Sequence, residues 1–145
     1  MAYDLPPIAK LAERLLVDIE RAVRAFPRYH KYTVGTQLRE QAMEVVKLCN
    51  RAWRDRDQQL RWLDGLVWAI DELKVLLQIA KQVHAYQSFR QFEALIRLAD
   101  DVGKQAGGWK RQQQKHPKGQ NPARSAAPEC AQILSTCAAS TGANP

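Results

Sequence analysis

Basic side chains recur along one face of the first stretch of helical periodicity in the chain. The face carries Lys10, Arg14, Arg21 and Arg24, and also Arg28 if the helix geometry extends that far, at spacings of four, seven, three and four residues. A helix turns by about 100° per residue, so these positions share one side, and the nearby acidic residues lie on the flanks. Lysine and arginine on a helix face bind phosphates, and they are also common on solvated surfaces. The row predicts either contact with a polyanion or a solvated face, and alone it does not separate the two.

A second basic segment follows, in which cations alternate with aromatic rings. It reads Arg28-Tyr29-His30-Lys31-Tyr32 and falls in a predicted loop, where its side chains are accessible. Arginine and lysine contact phosphates, and tyrosine rings stack on bases, so the segment is typical of a nucleic-acid contact. The alternative is a helix connection whose tyrosines pack against the end of the bundle. The candidate nucleic-acid-binding residues are Lys10, Arg14, Arg21, Arg24, Arg28 and Lys31.

The residue types that usually carry catalysis or bind metals are isolated from one another. No Glu is followed three residues later by His, as in the metal sites of helical bundles, and no Gly-x-Ser-x-Gly motif is present. The histidines and cysteines occur singly: His30, His84, His116, Cys49, Cys130 and Cys137. Without a Cys-x-x-Cys pair, three cysteines make neither a disulfide framework nor a zinc site. We expect no catalytic residue, metal, cofactor or small-molecule substrate, and therefore no enzyme.

The composition is that of one folded domain with an excess of positive charge. The chain has 145 residues, of which 46% are hydrophobic and 26% charged, and its formal net charge is +7. Residues 110–145 hold five basic residues and one acidic residue, so more than half of the excess falls there. No uninterrupted apolar run reaches about 18 residues, and the N-terminus lacks the pattern of a signal peptide. We expect a cytoplasmic protein, with no membrane contact, whose partner is a polyanion or an acidic molecule.

Four segments of helical length precede residue 110. They run from Pro7 to Phe26, from about Thr36 to the Asp55-Arg56-Asp57 cluster, from Gln58 to Val83, and from Ser88 to Trp109. Each carries apolar residues at spacings of three and four, and Gly107-Gly108 predicts the end of the last segment. The simplest way to bury four such stripes is an all-α, up-down-up-down antiparallel four-helix bundle over residues 5–109. Residues 110–145 are predicted to be a basic, low-complexity and disordered tail.

The third segment has a second apolar row, on the side opposite its core stripe. This row consists of Trp68, Val75 and Ile79. A monomeric bundle would leave these three large side chains in water as one contiguous patch. The row favours a subunit interface. A tolerated surface patch and a cover formed by the chain's own tail are the alternatives.

Three stretches of the sequence resemble a known family of helical proteins. They are Phe26-Pro27-Arg28-Tyr29-His30-Lys31-Tyr32-Thr33-Val34-Gly35-Thr36-Gln37-Leu38-Arg39, Leu73-Lys74-Val75-Leu76-Leu77 and Val102-Gly103-Lys104-Gln105-Ala106-Gly107-Gly108-Trp109. Over about residues 5–109 the chain is similar to the accessory variability determinant (Avd) proteins of diversity-generating retroelements. The resemblance implies a basic four-helix bundle that forms pentamers, binds the element's reverse transcriptase and nucleic acid, and supports mutagenic retrohoming. It also implies a protein that is not itself an enzyme.

Two alternatives to this function stay open. Four-helix proteins encoded in intervening sequences of bacterial large-subunit ribosomal RNA genes are more distantly similar. Their Asn-Ile-Ala-Glu-Gly segment is absent, and the corresponding region reads Lys47-Leu48-Cys49-Asn50-Arg51-Ala52. An oligomeric scaffold whose basic faces meet an acidic protein would need the same surfaces. The resemblance favours an accessory protein whose partners are reverse transcriptase, template RNA or cDNA, and further copies of itself.

Overall fold

Helices account for most of the chain that the structure describes. The computed structural model describes residues 6–115. It contains five helices in the order α1 (Pro7–Arg24), α2 (Arg28–Lys31), α3 (Val34–Arg54), α4 (Gln59–Gln82) and α5 (Phe89–Lys115). No strand occurs within residues 6–115, and the predicted all-α class is confirmed.

The four long helices pack side by side, each against two of the others. α3 lies between α1 and α4, and α5 closes the arrangement by packing against both α4 and α1. Contacts between α4 and α5 run in opposite order along the two helices. The Lys110 ammonium lies 2.8 Å from the Asp64 carboxylate, and further along α4 the Lys74 ammonium lies 3.0 Å from the Asp100 carboxylate. These two helices therefore form an antiparallel pair.

Apolar stripes from the four long helices meet in one core. The residues predicted for these stripes are buried, except that Leu11 and Trp109 are half-buried. The largest fully buried side chains come from all four helices: Leu15, Ile19, Leu38, Leu63, Leu66, Ile70, Leu73, Leu77 and Val102. Full burial of one such side chain contributes about 1.5–3 kcal/mol to stability. Burial of these stripes holds the helices together and leaves their opposite faces in solvent.

The end of α1 is decided by a proline. The helix ends at Arg24 rather than at the predicted Phe26, because residues that precede a proline disfavour helical backbone. Pro27 then opens the short helix α2, and its carbonyl oxygen accepts hydrogen bonds from the backbone N–H groups of His30 and Lys31, each at 2.9 Å. The segment predicted as a loop is thus one helical turn.

The start of α3 differs from the predicted one. The helix begins at Val34, so Thr36 lies inside it and does not cap it. The preceding threonine, Thr33, uses its hydroxyl to donate to the backbone carbonyl oxygens of Tyr29 and His30, at 3.1 and 3.3 Å. Its side chain therefore closes α2, and no side-chain hydrogen bond caps α3.

The predicted end of the last helix at Gly107-Gly108 is wrong, because α5 continues to Lys115. Glycine inside a helix costs about 1 kcal/mol relative to alanine. Contacts on the far side of the glycines offset that cost: the Trp109 ring lies 6.4 Å from the Trp53 ring, and Lys110 pairs with Asp64.

This longer helix also changes where the charge of the predicted tail lies. Three of the five basic residues that follow Trp109 belong to α5: Lys110, Arg111 and Lys115. The rest of the predicted tail, residues 116–145, lies outside the described residues. The division into a bundle over 5–109 and a disordered tail stays a prediction.

Candidate nucleic-acid interface

The basic face of α1 is set by the burial of its opposite side. Ile8, Leu15 and Ile19 are buried in the core, so the other side of the helix is turned to solvent. Four of the predicted binding residues lie there and are exposed: Lys10, Arg14, Arg21 and Arg24. With a rise of 1.5 Å per residue, the row from residue 10 to residue 24 is about 21 Å long. The row forms an exposed basic strip on the surface of α1.

Nearby carboxylates leave most of this strip without a counter-charge. Glu20 is held by Arg39 of α3, with 3.0 Å between Arg39 Nε and Glu20 Oε2. Asp18 lies 3.6 Å from Arg21, whose side chain is 72% exposed, and such a pair contributes little in water. The other basic residues of the strip form no ion pair within residues 6–115: Lys10, Arg14 and Arg24. Their charge is available to an outside partner.

The helix α2 adds rings and further cations at the end of α1. Arg28 is exposed and Lys31 is half-buried. Tyr29 and Tyr32 are 80% and 67% exposed, so these tyrosines do not pack into the end of the bundle as the alternative interpretation required. The six predicted binding residues are therefore spread along α1 and α2, and none of them lines the cavities described below.

The second apolar row is exposed on the outer face of α4. Trp68, Val75 and Ile79 are 65%, 55% and 41% exposed, while Leu66 and Leu73 of the same helix are fully buried. The exposure is as expected from the spacing. The use of this row as a subunit interface stays a prediction.

A cleft lies between α3 and α4, and the sequence analysis did not predict it. The cleft is open, has a volume of about 560 Å³, and is lined on the α3 side by Val46, Lys47 and Arg51 and on the α4 side by Trp62. The guanidinium groups of Arg51 and Arg61 lie over the Trp62 ring, 5.4 and 5.5 Å from its centre. Cations at this distance from an indole ring are attracted to its face. The only signal in the sequence is the neighbouring pair Arg61-Trp62, which does not identify a partner helix.

Asp55 lies in this cleft and is engaged by other groups. Its Oδ2 atom accepts a hydrogen bond from the indole N–H of Trp62 at 2.9 Å, and its Oδ1 atom accepts one from the backbone N–H of Gln58 at 3.3 Å. Within residues 6–115, neither Arg51 nor Arg61 forms an ion pair with a carboxylate. The cleft therefore keeps a positive charge.

Two titratable groups within residues 6–115 have pKa values that are raised by burial. Cys49 is fully buried, and burial, together with the negative charge of Glu13, raises the pKa of its thiol to about 12. Such a thiol stays protonated and unreactive at neutral pH. Burial also raises the pKa of Tyr86, whose hydroxyl donates to the carbonyl oxygen of Leu77 at 2.9 Å. Both groups serve the core.

The described part of the chain contains neither a cluster of metal-binding side chains nor a membrane-spanning helix. Within residues 6–115, no group of three or more His, Cys, Asp or Glu side chains lies close enough together to hold a metal ion. None of the helices in that range combines the length and the apolar character that crossing a bilayer requires.

Comparison with known proteins places the chain in a family. Among curated proteins, no sequence matches it. A family model described as bAvd-like matches residues 8–113, which include all of α2 to α4 and nearly all of α1 and α5. The matched region covers most of the chain and contains the basic strip, the α2 turn and the outer row of α4. The chain therefore belongs to the bAvd-like family and is an Avd-type protein.

Proposed function

We propose that this protein is a non-catalytic, cytoplasmic accessory protein of a diversity-generating retroelement. In this role it binds the element's reverse transcriptase and its template RNA or cDNA, and so supports mutagenic retrohoming. Membership of the bAvd-like family supports the accessory role. The observation that carries the nucleic-acid part is the exposed strip on α1, whose cations largely lack carboxylate partners within residues 6–115.

The strip suits a polyanion better than a folded acidic protein. Its cations follow one helix for about 21 Å, a length that matches several consecutive phosphates of an extended strand. Helix-face lysine and arginine position a nucleic acid without reading its sequence. Binding to this strip is therefore expected to be sensitive to salt and weakly dependent on base sequence.

The apolar row on α4 supports assembly with further copies of the chain. We propose a bundle with an up-down-up-down course whose Trp68, Val75 and Ile79 side chains are covered in a homopentamer. Five copies would repeat the basic strip five times, so weak contacts with a single strand add up through effective concentration. The surface that meets the reverse transcriptase is a separate part of the proposal, and it rests on the family resemblance.

Fluorescence anisotropy with labelled RNA of arbitrary sequence, at low and high salt, tests the nucleic-acid part. Substituting the α1 cations by glutamine should weaken binding: Lys10→Gln, Arg14→Gln, Arg21→Gln and Arg24→Gln. The slope of log K against the logarithm of the salt concentration should become shallower by about 0.7 for each phosphate contact that is lost. The matched control removes four exposed cations from α5: Arg90, Arg97, Lys104 and Arg111.

The control is expected to bind more tightly than the α1 variant, although both have lost the same charge. Equal loss in the two variants would remove the α1 strip from the proposal. If the parent protein binds no RNA even at low salt, a scaffold that meets an acidic protein becomes the better function. Co-purification with the reverse transcriptase of the same element tests the remaining part.

A further inference from the structure

The cleft between α3 and α4 combines an aromatic ring with several cations. Its floor is apolar, provided by Val46 and the half-buried Trp62, and its rim is cationic, with Lys47 and Arg51 exposed. A volume of about 560 Å³ is in the range of small-ligand pockets, which is about 300–1,000 Å³. An aromatic floor next to unneutralised cations suits a flat ring that carries a phosphate.

We propose that this cleft binds one unpaired nucleotide of a single-stranded nucleic acid, with its base against the Trp62 ring and its phosphates at Lys47 and Arg51. The inference rests on the proposed function for the class of ligand, and it adds a second point of contact. The α1 strip offers cations alone. The cleft offers a stacking surface, which a duplex cannot use because its bases are already stacked on one another.

The Trp62 side chain is already held in the cleft by contacts with its neighbours. Its indole N–H donates to Asp55 at 2.9 Å, so the ring is held at a fixed angle in the cleft wall. Arg51 and Arg61 lie over the ring, and arginine planes are themselves surfaces on which bases stack. Asp55 also lines the cleft, and both of its oxygens are engaged within the protein because they accept hydrogen bonds from Trp62 and Gln58.

Comparison with the other cavities supports the choice. The concavity between Lys81 and Phe92, near the start of α5, also combines aromatic rings with a cation, but Lys81 is its single lysine. The hollow along α1 and α3 that contains Met43 is lined by Glu20, Glu40 and Glu44, which would repel phosphate. Among the described cavities that have an aromatic ring in their lining, the cleft at Trp62 has the most cations.

The experiment compares two fluorescent probes of equal length, a short oligouridine RNA and an abasic strand with the same phosphates. Anisotropy titrations of the full chain should give an affinity about five- to a hundredfold higher for the strand with bases, the range expected for stacking of one base. Lys47→Gln with Arg51→Gln should weaken binding of both strands and reduce this preference. The control Arg90→Gln with Lys104→Gln, on α5, removes the same charge and should keep it.

Substitution of the ring tests the stacking directly. Trp62→Leu should abolish the preference for bases, and Trp62→Phe, which keeps a ring, should retain part of it. Circular dichroism shows whether Trp62→Leu folds. If it does not, the variant Lys47→Gln with Arg51→Gln, in which only exposed residues change, still tests whether the cleft binds RNA. Equal affinity of the parent protein for the two strands, or a cleft variant that behaves like its control, would overturn the inference.

The α1 variant separates this inference from the proposed function. If both sites are used, the α1 variant should bind the two strands more weakly but in the same ratio as the parent. If the cleft variants behave like their control but the α1 variant binds RNA more weakly than its control, the proposed function stands without the cleft. The α1 variant and its α5 control could also bind RNA with equal affinity while the preference for the strand with bases persists. That result would support the cleft as a binding site and remove the α1 strip from the proposed function.

Discussion

At the scale of single residues, the closest constraint lies where α3 starts. A Cβ atom placed on Gly35 would lie 2.7 Å from Cγ1 of Val23 and 3.2 Å from the carbonyl oxygen of His30. Val23 is buried and β-branched, and the carbonyl belongs to the backbone of α2, so neither neighbour moves easily. The absence of a side chain at residue 35 lets α3 pack closely against α1 and α2.

Gly35→Ala is therefore expected to destabilise the protein by about 1–3 kcal/mol, the usual cost of overpacking a core. Urea denaturation followed by circular dichroism measures the change. Gly65→Ala is the matched control, because a Cβ atom there would meet only Leu48 at an ordinary 3.9 Å, and helix propensity should make it neutral or stabilising. Two variants of equal stability would show that the α1–α3 approach is looser than described.

The raised pKa of Cys49 has a consequence in alkaline solution. The thiol titrates near 9.0 when the chain is unfolded and near 12 in the fold, so above about pH 9 the unfolded state binds fewer protons than the native state. Stability then falls as pH rises, by up to about 1.4 kcal/mol per pH unit from this group. Cys49→Ala should lose less stability than the parent between pH 9 and pH 11 in denaturation experiments. Parallel curves for the two proteins would contradict the predicted burial effect.

At the scale of helices, α1 and α4 each have a second patterned face besides the one that is buried in the core. α1 pairs its buried stripe with the basic strip, and α4 pairs its own with an apolar row. α5 differs, because its last turns are held by Trp109 against Trp53 and by Lys110 with Asp64. These contacts stabilise the helix beyond Gly107 and Gly108, although the sequence pattern predicts that it ends there.

The continuity of α5 predicts that a methyl group at Gly108 is tolerated. A Cβ atom on Gly108 would meet nothing within 4 Å, so Gly108→Ala should raise the free energy of unfolding by about 0.5–1 kcal/mol. Gly108→Pro should lower it by about 3 kcal/mol or more, since proline disrupts a helix interior. Urea denaturation measures both, and a Gly108→Ala variant that is less stable than the parent would contradict a continuous helix at this position.

At the scale of the whole molecule, the outer row of α4 bears on assembly. Trp68→Glu is expected to reduce the mass of the assembly in light scattering, because a charge would be buried in the proposed interface. Trp68 is 65% exposed in the single chain, so the fold of the chain itself should be kept. Gln78→Glu adds the same charge to the same helix outside the row and should leave the mass unchanged. A Trp68→Glu protein with the parent's mass would reject this interface.

The sequence by itself determined the features that depend on one helix at a time. Helix periodicity placed the core stripes, the strip from Lys10 to Arg24 and the row from Trp68 to Ile79, because the geometry of a single helix relates residues three, four and seven apart. The limits of the helices were less predictable. The contact between the Trp109 and Trp53 rings joins helices that local patterns do not relate. The hydroxyl of Thr33 acts locally, on carbonyl oxygens three and four residues earlier.

Only the tertiary structure decided which residues of different helices meet. Packing of α3 against α4 brings Arg51 to the Trp62 ring, and the indole N–H of Trp62 donates a hydrogen bond to Asp55. Packing of α4 against α5 likewise joins Asp64 to Lys110, 46 residues further along the chain. Local geometry sets the face of each helix, but the partner of that face depends on how all the buried stripes fit together in one core.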